Sequence, residues 1–130
     1  MTLSGKCALV TGSTSGIGLG IARVLAQQGA NIMLNGFGDK SEIEDLKREL
    51  ARYGDVVVAY SDANLSGQKG ANHVIESTMD QLGGLDILVN NAGIQHTDRV
   101  EDFPLEKWDG IMRIMLSAPF WLAQKALPHM

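Results

Sequence analysis

The octapeptide TGSTSGIG, residues 11–18, follows directly on the apolar run CALV. Three glycines and four small hydroxyl residues fill its eight positions, leaving the backbone nearly bare. The apolar run over Lys6–Thr11 reads as a short buried strand. Ile17, Ile21, Val24 and Leu25 then mark one face of a helix over Gly16–Gln28, stopped by Gly29. A strand entering a helix through such a turn points to a parallel α/β unit, with the turn at the C-terminal edge of the sheet.

The alternation continues along the chain. Asn31–Asn35 reads as a second strand. Ser41 and Glu44 have capping-box spacing and open a second helix to Tyr53, with Ile43, Leu46 and Leu50 on one face and Gly54 at its end. Asp55–Tyr60, with Val56, Val57 and Val58, reads as a third buried strand. Gln68–Leu82 reads as a third helix, with Val74, Thr78 and Leu82 on one side, Ile75 and Met79 beside them, and Gly83-Gly84 as the stop. Leu85–Asn90 is a fourth strand, and a last helical region runs from near Leu105 towards Leu127. Strands that are apolar throughout and alternate with helices imply a parallel sheet covered on both faces. Right-handed crossovers give the order 3-2-1-4, a Rossmann-type doubly wound α/β sheet in one domain over residues 1–130.

At the first turn the helix presents unpaired N–H groups and the positive end of its dipole, which suits a pyrophosphate. Gly12 permits the tight turn, Gly16 lets backbone approach the ligand, and Gly18 lets helix and strand pack closely. Ser13, Thr14 and Ser15 offer hydroxyl donors. The spacing is G-x-x-x-G-x-G rather than G-x-G-x-x-G. Asn90-Asn91-Ala92-Gly93, ending the fourth strand, lands beside the first strand at the same edge. By itself it reads as a strand-end turn. With the glycine loop it specifies a dinucleotide site.

Other classes are set aside on composition. The net charge is −4 and no basic run occurs, which excludes a nucleic-acid binder. No apolar run approaches the ~20 residues of a membrane span, and no charged-then-apolar leader opens the chain, so a soluble cytoplasmic protein is expected. Cys7, the single cysteine, lies in an apolar strand and reads as a packing residue. His73, His96 and His129 lack ligand spacing, so no metal site is expected.

TGSTSGIG, Asn64-Leu65 after the third strand, and LDILVNNAG together resemble the short-chain dehydrogenase/reductases, in register over the whole chain. LNGFGD (34–39), NNAGIQHT (90–97) and EDFP-x-EKWD (101–109) resemble more closely the group within that family that oxidises 3-hydroxybutyrate to acetoacetate with NAD. The resemblance implies that Gly12, Ser13, Thr14, Ser15, Gly16, Ile17 and Gly18 hold the pyrophosphate and that Asn64 and Leu65 flank the adenine. It further implies that Asn90, Ala92 and Gly93 line the ribose and nicotinamide, and that Gln95 meets the substrate carboxylate. The family usually has Asp at position 64, and Asn keeps a carbonyl acceptor there. His96 reads equally as a neighbour of Gln95 in the site and as an exposed loop histidine.

The ribose-reading acid at the end of the second strand falls at Gly36 and is missing. Asp39 lies beyond the strand end, and Phe37 is placed to stack beside the ribose. Neither Ser15 nor Gly36 supplies the positive charge that a 2′-phosphate needs, so NAD is expected over NADP.

The family's chemistry needs a general-base tyrosine followed by lysine four residues later, an orienting serine and a water-holding asparagine. Tyr53 is followed at that spacing by Val57 and Tyr60 by Asn64, and Met115 occupies the asparagine position. A thioether does not orient water as an amide does. Pro119 is expected to kink or break the last helix at Ala118. Trp108, Ile111, Met112, Met115 and Leu122 read as a packing stripe; in full-length relatives this helix also joins subunits. The resemblance therefore implies the cofactor-binding half of a hydroxy-acid dehydrogenase: a truncated product, a fragment or one part of a split enzyme. Such a chain forms a homo-oligomer or needs a complementing chain. The alternative is a non-catalytic dinucleotide-binding or interaction module.

Overall fold

The computed structural model describes residues 1–130. Strands β1 (Cys7–Val10), β2 (Asn31–Asn35), β3 (Val58–Ser61) and β4 (Ile87–Val89) form one parallel sheet in the order β3-β2-β1-β4. Helices α1 (Gly16–Gln27), α2 (Lys40–Ala51) and α3 (Gln68–Leu82) connect them, and α4 (Leu105–Met112) and α5 (Ala118–Ala126) follow. The order is the one read from the sequence.

The strands alternate their side chains between two cores, as the period of two requires. Ala8, Val10, Ile32 and Leu34 meet Leu19, Ala22 and Ala26 of α1 and Leu50 of α2 on one face. Leu9, Met33 and Ala59 meet Val74 and Ile75 of α3 and Leu122 of α5 on the other. Each fully buried Leu, Ile or Met is worth about 1.5–3 kcal/mol relative to exposure, so both layers hold the sheet. Cys7 is buried, and Asn31 donates to its sulfur at 3.8 Å.

Several local expectations are corrected. The inner face of α1 is Gly18, Leu19, Ala22 and Ala26, while Ile17 and Val24 are 78% and 57% exposed. Close approach to the sheet selects small residues at i, i+4 and i+8 beside Leu19; Ile21 and Leu25 pack partly buried against the same core, and only Ile17 and Val24 turn outward. The N-cap of α2 is Asp39 rather than Ser41. The Asp39 carboxylate accepts the Glu42 N–H at 2.9 Å and the Ser41 hydroxyl at 2.9 Å. These bonds, the Glu42 N–H first, hold the Asp39 carboxyl below its usual pKa. The third strand starts at Val58. Val57 still pairs through its carbonyl with the Ile32 N–H at 2.9 Å, but its side chain is 54% exposed.

Ala118 does not leave the helix: it keeps φ −61° and ψ −47°. A π turn at Arg113–Ser117 widens the helix just ahead of Pro119, and the Ala118 N–H reaches the Arg113 carbonyl. The stripe on this segment is only partly core. Leu122 is buried, whereas Trp108 and Met115 are about half exposed, and Leu105, Leu116 and Phe120 also face outward. No helix is long and apolar enough to cross a membrane.

α1 and α2 are joined by a bidentate pair, with Arg23 Nε and Nη2 at 2.7 and 2.9 Å from the Glu49 carboxylate. The Arg23 hydrogen bonds hold the Glu49 carboxyl below its ordinary value of 4.5. A depressed carboxylate stabilises the fold above its unfolded pKa and loses that contribution as pH falls through the folded value. The pair is partly solvated, so its worth is below ~1 kcal/mol. Glu49→Gln is expected to be slightly less stable than the parent at neutral pH, with the difference vanishing at acid pH below that value. Urea titrations at two pH values check this, and a difference that grows on acidification would contradict it.

Candidate functional site

Parallel connections bring the β1–α1 turn, the β2 and β3 exits and the β4 exit to one edge of the sheet. The glycine loop adopts the conformations its composition allows. Gly12 and Gly16 sit at φ +61° and +58°, where side-chain-bearing residues are disfavoured. A Cβ on Gly12 would lie 2.9 Å from Ala92 Cα, so the loop touches the β4 turn directly. A Cβ on Gly16 would meet nothing within 4 Å: that backbone is open. Ser15 is the N-cap of α1 with an extended backbone. It makes no side-chain cap bond, and no acid lies in the first turn. α1 thus opens without a cap, whereas α2 is closed by Asp39.

Two hollows meet at this edge and share Gly93 and Ile94. One is lined by Asn35, Gly36, Phe37, Ala63, Asn64, Leu65 and Ala92, with Ile114 behind. The other is lined by Ile17, Asn91, Gln95, His96, Ile111 and Met115. The structure therefore brings Ile17, Phe37, Asn64, Leu65, Ala92, Gly93, Gln95 and Met115 to one groove. Asn90 is exposed at the strand end and lines neither hollow.

Ser13 and Thr14 do not point their hydroxyls at the groove as free donors. Ser13 is fully buried. Its N–H donates to the Asn35 carbonyl at 2.7 Å, and its Oγ accepts the Asn35 N–H at 3.0 Å. Thr14 donates to the Phe37 carbonyl at 2.8 Å. Ser15 alone is exposed without a side-chain bond. Leu65 belongs mainly to the core, and Asn64 Oδ1 accepts the Ser66 N–H at 2.9 Å. His96 is not a free loop histidine. Its ring packs edge-on against Phe103 at 5.3 Å, and Nε2 lies 3.5 Å from Asp98 without hydrogen-bond geometry.

Three residues that organise the groove escaped the sequence reading. Thr11 Oγ1 accepts the N–H groups of Asn91 at 3.1 Å and Ala92 at 3.0 Å, while donating to the Val89 carbonyl at 3.3 Å. Asn91 Nδ2 donates to the carbonyls of Thr11 at 3.1 Å and Gly12 at 3.0 Å. Asn35, 2% exposed, donates through Nδ2 to the carbonyls of Ser61 and Ala63, both at 3.2 Å, and its Oδ1 accepts the Gly12 N–H at 3.4 Å. The available signal was an amide closing an otherwise apolar strand, since a buried amide needs partners.

Comparison with known proteins agrees with this geometry. A family profile described as short chain dehydrogenase matches residues 6–130. The chain is 51% identical over 129 residues to the D-beta-hydroxybutyrate dehydrogenase of Cupriavidus necator, covering 98% of this chain and 49% of that protein. It is 46% identical over 125 residues to the enzyme of the same name from Rhizobium meliloti, covering 96% and 48%. The chain thus spans about half the length of the curated relatives it matches. Among solved structures, a blue fluorescent protein from a metagenomic library in complex with NADPH superposes with a TM-score of 0.94 at 32% identity, covering all of this chain and 53% of that one. The glycine loop, the NNAG turn and the profile match across nearly the whole length lead to one conclusion: the chain belongs to the short chain dehydrogenase family.

Proposed function

We propose that this chain binds NAD across the groove as the cofactor-binding part of a dehydrogenase acting on 3-hydroxybutyrate or a similar small hydroxy acid. The observation that carries the reading is the uncapped N-terminus of α1 opening at the bare, open backbone of Gly16, flanked by Gly12 and Gly18, whose close contacts leave no room for a side chain. The main chain of Ser15, Gly16 and Ile17 would hold the pyrophosphate, with the Ser15 hydroxyl beside it. Phe37 and Asn64 would flank the adenosine, and Gly93 and Gln95 the nicotinamide end. NAD supplies a hydride acceptor when bound. The names of the Cupriavidus and Rhizobium relatives support the substrate class.

Hydride transfer from an alcohol also needs a base for the hydroxyl proton. Tyr60 is unsuited: its hydroxyl donates to the Gly36 carbonyl at 2.6 Å, and burial, with the Asp62 charge, raises its pKa. Tyr53 lies just past α2, outside the groove. The base would come from outside these 130 residues, from a complementing chain or a further segment. The outward Leu116 and Phe120 of the last helical segment support such an association, or a homo-oligomer. Met115, half exposed in the groove where the resemblance puts an amide, favours a second reading as a non-catalytic binding module.

NAD over NADP is supported by the lack of a cation at Ser15 or Gly36 and by Asp39, whose carboxylate already satisfies the α2 N-terminus. The NADPH in the metagenomic neighbour is the counter-indication. Titration calorimetry of the chain with each cofactor is the test. Heat with NAD at up to millimolar concentration and weaker NADP binding are expected. Tighter NADP binding would reverse the preference, and no binding of either would remove the reading. Enzyme-like oxidation of 3-hydroxybutyrate by these 130 residues alone would overturn the need for an outside base.

A further inference from the structure

We propose that Tyr60 and Thr14 are positioning residues for cofactor selection, pinning the turn after β2 so that the adenosine ribose is read by main chain and the Phe37 ring. This rests on the dinucleotide reading above. The two hydroxyls hold two successive carbonyls from opposite elements: Tyr60, in β3, donates to Gly36 O at 2.6 Å, and Thr14, in the glycine loop, donates to Phe37 O at 2.8 Å. Between them Gly36 is held at φ +146°. A Cβ there would lie 2.7 Å from Thr14 Oγ1 and 3.1 Å from its Cγ2.

Position 36, at the exit of β2, is therefore closed to every side chain, acidic or basic. The next residue, Phe37, is 77% exposed and lines the same hollow as Asn64 and Ala92. Beyond Tyr60 a separate hollow is lined by Lys40, Glu44 and Asp62, two carboxylates to one ammonium, so it offers an added phosphate no net positive charge. The pinned turn accepts a ribose 2′-hydroxyl and rejects a 2′-phosphate. The Tyr60 phenol, raised above its usual pKa by burial, stays protonated and remains a donor at neutral pH.

The test uses the full chain and reads NAD and NADP dissociation constants together with the thermal midpoint. The variants are Tyr60→Phe, Thr14→Val and the double variant, with Tyr53→Phe as a control away from the turn. Each single change is expected to weaken NAD binding roughly tenfold, the value of one hydrogen bond, with NADP changing far less, so the preference shrinks. The double variant should lose less than the sum, because both hydroxyls hold one turn. Equal loss for both cofactors, or no change in either, in folded variants overturns the proposal, and Thr14→Val decides alone if Tyr60→Phe does not fold. A parent chain that binds neither cofactor removes the underlying reading. That outcome is distinct from binding with an unaltered preference.

Discussion

Gly18→Ala is expected to abolish dinucleotide binding and to destabilise the fold by ~3 kcal/mol or more. On helix propensity alone the change is favourable by about 1 kcal/mol, since Gly18 lies inside α1 at no positive φ. Contact decides the sign. The new Cβ would sit 2.2 Å from the Gly12 carbonyl oxygen and 2.5 Å from Asn91 Nδ2. The first belongs to the turn backbone and the second to the amide that ties the turn to β4, so neither yields without opening the loop. Gly20→Ala, one half-turn on, is the matched control: its Cβ would meet nothing within 4 Å, and propensity should win by up to ~1 kcal/mol. Urea midpoints of the two variants should shift in opposite directions, and NAD titrations should lose binding only in Gly18→Ala. Equal stability and equal binding in both would refute it.

Asn35→Ala is expected to cost about 2–4 kcal/mol and to loosen the groove. The carboxamide satisfies two carbonyls after β3 and one N–H of the glycine loop, all in a site where Asn35 itself is 2% exposed. Removing it leaves those groups without partners. Asn35→Asp should fare no better, because a carboxylate offers no donor to the Ser61 and Ala63 carbonyls and brings a charge into a buried site. Equilibrium unfolding of the two variants is the measurement. A loss below ~1 kcal/mol in both would mean the three backbone groups find other partners, and the clamp would lose its standing.

The sheet order and the course of α3 were legible because long periodic segments carry their own evidence. Gln68–Leu82 was delimited by Val74, Thr78 and Ile75 on one side and by Gly83, which closes the helix at φ +79°. The inward side of α1 was only partly legible: Ile21 and Leu25 do pack against the core. Hydrophobic periodicity weighs bulk, and here Gly18, Ala22 and Ala26 face the sheet because there is no room for Ile17 or Val24. Val56 and Val57 carry β propensity, yet the ladder begins at Val58, where β2 offers a partner at Ile32. In the groove the glycines were legible from their backbone freedom. Thr11, Asn35 and Asn91 were not, since their roles exist only when residues more than 20 positions apart meet. Pro119 announced a disturbance of the helix but not its form: the chain widened by a π turn rather than breaking.

The central position of β1 also sets an order of assembly. Its pairing with β2 needs only residues up to 34, but its other edge waits for β4 at residues 87–89. Closing that second, longer loop is the entropically dearer step and the slower one. Until it closes, Thr11 has no Asn91 or Ala92 N–H to accept, so the glycine loop, early in the chain, depends for its ties on a strand near residue 90. A dinucleotide bound as proposed would stabilise only the completed sheet, a late latch on the fold rather than a template for it.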